Sequence, residues 1–133
     1  MTRVALQCFL HEVAHFVLHA DDRDYKPYYL REFEAEQWSF NTMRASNIPV
    51  PKTGGRIARR NVARAILRSK RAGIQIDLRA ARFAWGSHAQ PWLNHITEAI
   101  RRGDNEIYFW HPEIKPVTAG PPPKEPYENL PKE

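Results

Sequence analysis

Apolar residues open the chain at helical spacing. Between Val4 and Leu18, the residues Leu6, Phe9, Leu10, Val13, Phe16 and Val17 share one broad sector of a wheel turned at about 100° per residue. The polar positions of that stretch gather on the other side: Gln7, His11, His15 and His19 follow each other at helical spacing, with Glu12 alongside. A helix this apolar is expected to be buried, yet its polar residues converge on one sector, where buried polar groups need partners and a metal would satisfy several at once. A second helix is predicted from Tyr28 to Arg44, where Tyr29, Phe33, Phe40 and Met43 form a stripe. Glu32 and Glu36 lie on that inward stripe, whereas Glu34, Asn41 and Arg44 lie outside it.

The pattern continues to about residue 110. In the segment 52–85, Ala58, Val62, Ala65 and Ile66 form an apolar stripe, Gly73 is the expected C-cap, and Asp77 begins a short helix through about Trp85. Gln90 to Arg102 reads as a further helix with Trp92, Leu93, Ile96 and Ile100 on its apolar face and Gly103 ending it. Ile107-Tyr108-Phe109-Trp110 is the only strand-like run. From Pro112 onward, seven of the last 22 residues are proline, so 112–133 is expected to be an extended tail able to dock on a protein partner. The expectation is one mainly α domain over 1–111, α+β at most, with little or no sheet. Residues 1–51 would carry the chemistry, 52–85 a basic helical segment and 90–103 a closing helix.

The chemistry lies in His11-Glu12-Val13-Ala14-His15, an H-E-x-x-H pattern. Positions i and i+4 of a helix are about 40° apart, so both imidazoles can reach one ion, with Glu12 as candidate base. A chain with 6 His in 133 residues and this many Glu would meet the pattern by chance only about 0.02 times. Catalytic zinc normally has three protein ligands and one open position. His19 lies about 12 Å along the axis from His11, too far to share an ion on a straight helix. Asp21 stands where metzincins place their third ligand, but that class needs Gly where this chain has Leu18. The inward carboxylates Glu32 and Glu36 are the better source, because buried carboxylates need a cation, a metal or a histidine.

Leu10-His11-Glu12-Val13-Ala14-His15-Phe16-Val17-Leu18-His19, followed by Glu32-Phe33-Glu34-Ala35-Glu36, Met43 and Pro49, resembles the ImmA/IrrE-like metallopeptidases over about residues 10–51. Members of that family carry H-E-x-x-H on one helix and E-x-x-A-N on the next. The resemblance implies a zinc peptidase acting on a protein or peptide substrate, with His11, His15 and Glu32 as metal ligands and Glu12 as general base. His19 matches a histidine that is frequent there without being catalytic. Glu36 replaces the family's Asn, which leaves it open whether Glu36 is the third ligand instead, or a partner that orients a histidine. Zincin peptidases usually place a small sheet before this helix, and here ten residues precede His11. That weakens the expectation of efficient cleavage more than that of metal binding. An oxyanion stabiliser is expected among Tyr28, Tyr29, His88, His95 and His111.

Composition adds three points. The single cysteine, Cys8, excludes an intrachain disulfide and is expected to be a small buried thiol. No apolar run reaches the roughly 18 residues of a membrane span, and Val4 to Leu10 is too short for a secretion signal, so a cytoplasmic or phage-encoded protein is expected. The net charge of +5 is uneven: residues 52–82 carry ten Lys/Arg against Asp77 alone. Arg56, Arg60, Arg64, Arg68 and Arg71 recur at helical spacing and suggest phosphate contacts with nucleic acid, although a solvated face or a lid held by the acidic first half would read the same way. An inactive zincin scaffold, or a nucleic-acid-associated protein with structural zinc, are the rival readings of the whole.

Overall fold

The computed structural model describes residues 1–21 and 25–111, so the Pro-rich tail lies outside the described residues. Five α-helices follow one another: α1 (Arg3–His19), α2 (Tyr28–Ala45), α3 (Lys52–Arg71), α4 (Leu78–Trp85) and α5 (Ala89–Arg102), with one 3₁₀ turn, Gly86–His88, between the last two. Among the described residues there is no strand and no helix long and apolar enough to cross a membrane.

Local chemistry sets the helix ends. The Thr2 hydroxyl accepts from the Ala5 amide at 3.0 Å and starts α1, and the Asp77 carboxylate accepts from the Arg79 amide at 2.9 Å to start α4. Pro27 and Pro51 precede α2 and α3, where their missing N–H is no loss. Helices α3 and α5 end with Gly73 and Gly103 at φ of 78° and 77°. The next amides, of Ile74 and Asp104, reach back to the carbonyls of Ser69 and Ala99 at 2.9 and 3.1 Å, satisfying groups that the helix end would leave unpaired.

The core is shared by α2 to α5 and the segment 107–110. Val62 and Ile66 of α3 and Ile96 of α5 are fully buried among the alanines of α4. The strand-like run Ile107–Trp110 forms no ladder. It crosses the α4/α5 surface as an extended, buried strap, and side chains rather than a neighbouring strand satisfy its backbone. Trp85 Nε1 donates to the Phe109 carbonyl at 2.9 Å, His95 Nε2 meets the Tyr108 carbonyl at 2.7 Å, and Trp110 Nε1 donates to the Ala84 carbonyl at 3.1 Å. Trp92 stacks between Trp85 and Tyr108, with ring centroids 6.0 and 5.2 Å away.

Helix α1 departs from the expected burial. Its apolar sector faces outward: Phe9, Phe16 and Val17 are 56%, 79% and 58% exposed. The face turned to α2 carries Gln7, His11, Ala14, His15 and His19, and only Gln7 and Ala14 are fully buried. Cys8 is exposed, not buried. This orientation follows from what α2 offers, since its surface opposite α1 presents Glu32, Glu34 and Glu36, which require polar partners. Gln7 adds a knot between three helices. Its Nε2 donates to the Gly54 carbonyl of α3 at 2.8 Å, and Ser39 Oγ of α2 donates to its backbone carbonyl at 3.1 Å.

This knot requires a glycine at 54. A Cβ there would lie 2.0 Å from Gln7 Oε1 and 2.9 Å from its Cδ. Gly54→Ala is therefore expected to displace the buried amide and destabilise the protein by about 1–3 kcal/mol in urea unfolding. In the double variant Gly54→Ala/Gln7→Ala the two losses should fall short of additivity, because the clash is gone.

Candidate metal centre

Helices α1 and α2 bring together three of the side chains singled out in the sequence. His11 Nε2 and His15 Nε2 lie 3.0 Å apart, and the Glu32 carboxylate spans them to complete a triangle of side chains, with Oε2 3.2 Å from the first and Oε1 3.1 Å from the second. The separation of the two nitrogens is close to the roughly 3.3 Å between ligand atoms that a tetrahedral ion with bonds of about 2.0–2.1 Å requires. His11, His15 and Glu32 form the one group among the described residues whose donor atoms could converge on a metal ion. Asp21, the metzincin-like alternative, is exposed beyond the end of α1 and does not join the group.

The far nitrogens of both imidazoles are held as well. His11 Nδ1 pairs with the Glu36 carboxylate, which is buried in α2. Glu36 thus sits behind a histidine instead of sharing the triangle. His15 Nδ1 meets His19 Nδ1 at 3.1 Å, His19 Nε2 meets Glu34 Oε1 at 3.1 Å, and Lys26 Nζ donates to both oxygens of Glu34 at 3.1 and 2.9 Å.

The proton positions along this chain follow from donor and acceptor chemistry. Glu34 is lowered below the ordinary carboxylate range: burial opposes its ionisation, but Lys26 and His19 outweigh it. As an anion it only accepts, so His19 Nε2 carries a proton. In a neutral His19 the Nδ1 is then an acceptor, and His15 Nδ1 must donate to it. That tautomer leaves a lone pair on His15 Nε2, directed at the triangle. The Glu36 carboxylate beside His11 Nδ1 favours a proton on that nitrogen, which leaves the lone pair of a neutral ring on Nε2. Two imidazoles are thereby set with their Nε2 lone pairs facing one point, the arrangement that metal-ligating histidines require.

Without an ion, a proton occupies that point. Burial works against a charge on His11, yet the carboxylates of Glu32 and Glu36, which accept from the imidazolium, push its pKa up to about 10. Burial, with the positive charge of His11 beside it, holds His15 below its ordinary value. Glu32 is held low: burial favours its neutral form, and His11 and His15 overcome that. The cluster therefore favours a cation between its nitrogens and the carboxylate.

The centre is covered on the His11 side and opens toward His15, whose side chain is 28% exposed against 14% for His11. Glu12 is exposed on α1 and its charge is felt by His15. Among the oxyanion candidates, Tyr29 is committed elsewhere: its hydroxyl donates to the Gln75 carbonyl at 3.3 Å and accepts from the Asp77 amide at 2.7 Å. His95 is bound to the 107–110 strap. Tyr28 is exposed at the start of α2, His88 ends the 3₁₀ turn, and His111 follows the strap. The residues missed in the sequence are Lys26 and Glu34. Only the recurrence of His19 four residues after His15 signalled that the cluster extends beyond the pentapeptide.

No family model matches the chain, and no curated protein or solved structure matches it.

The raised pKa of His11 has a consequence for stability. A group that binds its proton more tightly when folded contributes stability that is whole below its unfolded value, near 6.5, and lost as pH rises to about 10. Chelator-treated protein is expected to lose on the order of a few kcal/mol between neutral pH and about pH 10 in urea titrations. In Glu36→Gln that decline should be shallower, because one of the two carboxylates favouring the imidazolium is gone.

Proposed function

We propose that the chain is a zinc-dependent metallopeptidase in which His11, His15 and Glu32 hold the ion and Glu12 is the general base. The observation that carries this reading is the paired orientation of two Nε2 lone pairs by Glu36 and by the His19–Glu34–Lys26 chain. A core histidine needs one hydrogen-bond partner, whereas here both far nitrogens are anchored and both near nitrogens face one carboxylate. The side left open beside His15 and Glu12 supports a catalytic rather than a closed, structural ion. The likeness of the H-E-x-x-H and second-helix motifs to ImmA/IrrE-like peptidases supports peptide as the substrate class.

Bound at this triangle, zinc would supply Lewis acidity, drawing the pKa of a water toward about 7 and polarising a carbonyl. The chain's own residues have separate tasks. Glu12, on the open side, takes a proton from the attacking water and passes it to the leaving amine. Glu32 offsets the charge of the ion. Glu36 and His19 fix the imidazole planes, and Lys26 holds Glu34 as an anion so that the tautomer of His15 does not reverse.

Metal analysis of gently purified protein is expected to give about one zinc per chain, kept in Glu12→Gln and lost in His15→Ala. Protein that neither carries nor takes up zinc would sink the proposal. Hydrolysis of an unfolded protein substrate should be stopped by chelator and fall by about 10²–10⁴-fold in Glu12→Gln. Zinc bound without any hydrolysis would instead assign the chain to a non-catalytic scaffold. Glu34→Gln and Glu36→Gln are each expected to weaken zinc affinity by about 10–100-fold without abolishing it, as read by competition with a chromogenic chelator.

A further inference from the structure

Helix α3 carries a positive surface that the metal centre does not use. Arg56, Arg60, Arg64 and Arg68 follow each other four residues apart, about 6 Å per step, and Arg71 extends the row to about 22 Å. Arg56, Arg68 and Arg71 are exposed, while Arg60 and Arg64 are half-buried. Three arginines elsewhere are neutralised by acids: Arg79 pairs with Asp77, Arg101 with Glu98 and Arg102 with Asp104. Among the described residues no carboxylate lies within ion-pair distance of Arg56, Arg59, Arg60, Arg64 or Arg68. Arg71 is only tethered, donating from Nη2 to the Asn105 carbonyl at 3.1 Å. Among the described residues, no acid of the first half is paired with this row.

We propose that the α3 face binds the phosphate backbone of double-stranded nucleic acid without reading its sequence. A duplex presents one phosphate per about 1.7 Å of axis, so a row of cations this long, winding gently around the helix, meets several at once and releases their counterions. Guanidinium groups suit phosphate oxygens because their donors form a planar fork. An acidic membrane is the poorer fit. A helix that lies on a bilayer must sink its apolar face into the acyl boundary, and the apolar face of α3 (Ala58, Val62, Ala65 and Ile66) is spent on the protein core. A partner protein is also disfavoured, since stable protein interfaces centre on buried aromatic or aliphatic anchors rather than on an unbroken row of one charge.

The test is fluorescence anisotropy of the full chain with a labelled DNA duplex of about 25 base pairs, at salt between about 50 and 200 mM. With four to five phosphates engaged, affinity is expected to fall on the order of 10²-fold across that range. Replacing Arg56, Arg60, Arg64 and Arg68 together by Gln should reduce the log–log salt slope by about 3–4 and abolish most low-salt binding. Arg79→Gln/Arg101→Gln/Arg102→Gln, which removes three arginines that already have acidic partners, should change binding little. If the fourfold variant does not fold by circular dichroism, Arg56→Gln/Arg60→Gln and Arg64→Gln/Arg68→Gln are each expected to lower the slope by about 2. No binding at low salt would overturn the proposal. So would equal loss in the paired-arginine control, or α3-dependent binding to acidic-lipid vesicles or polyglutamate as tight as to the duplex. Chelator should not alter the binding, so the outcome is independent of the zinc reading.

Discussion

The arrangement of the first two helices depends on a polar seam. Three carboxylates of α2 face inward, and the desolvation of a carboxylate is far more costly than the exposure of a phenylalanine. Helix α1 therefore turns its histidines toward Glu32, Glu34 and Glu36 and leaves Phe9 and Phe16 in water. The seam is satisfied in two layers. The inner layer is the triangle of two Nε2 atoms and Glu32, and the outer layer holds the opposite nitrogens. The remaining helices have a conventional core of alanines, branched aliphatics and stacked aromatics, and α1 contributes nothing to it.

Much of the architecture was legible in the residues. Helix periodicity placed all five helices, and Asp77, Gly73 and Gly103 act as the cap chemistry requires, because caps are local. The wheel of α1 grouped its polar residues on the side that meets α2, but the helix is not buried all round and leaves Phe9, Phe16 and Val17 in water. Amphipathic reasoning assumes that the apolar face wins burial, and it cannot weigh the carboxylates of a helix not yet placed beside it. Cys8, expected to be buried as small thiols usually are, is exposed. The run Ile107–Trp110 has strand composition, yet two tryptophan indoles and a histidine take the role a neighbouring strand would have had.

Within the candidate site, the division of labour between Glu32 and Glu36 was not legible from spacing, since both lie on one stripe. It depends on which nitrogen of His11 each meets. Glu34 was assigned to the outside of α2, and it does lie at the edge of the seam, where Lys26 from the preceding loop can also reach it. Loop geometry of that kind leaves no periodic trace. Charge, by contrast, is additive along a sequence, so the basic row of α3 was evident from composition, and the structure adds that no acid among the described residues pairs with Arg56, Arg60, Arg64 or Arg68.

The outward apolar face of α1 changes how this helix can come away from the rest. Detaching a helix usually uncovers apolar surface, and the sensitivity of that opening to urea grows with the area uncovered. Here Phe9, Phe16, Val17 and Leu18 already face water, so a large share of what opening would uncover is imidazole and carboxylate. Local opening of α1 would thus respond less to denaturant than the opening of a core helix, and strongly to pH and to whatever cation sits in the seam. Amide exchange along α1 would report on the ionic state of the centre, and exchange along α3 to α5 on the strength of the hydrophobic core.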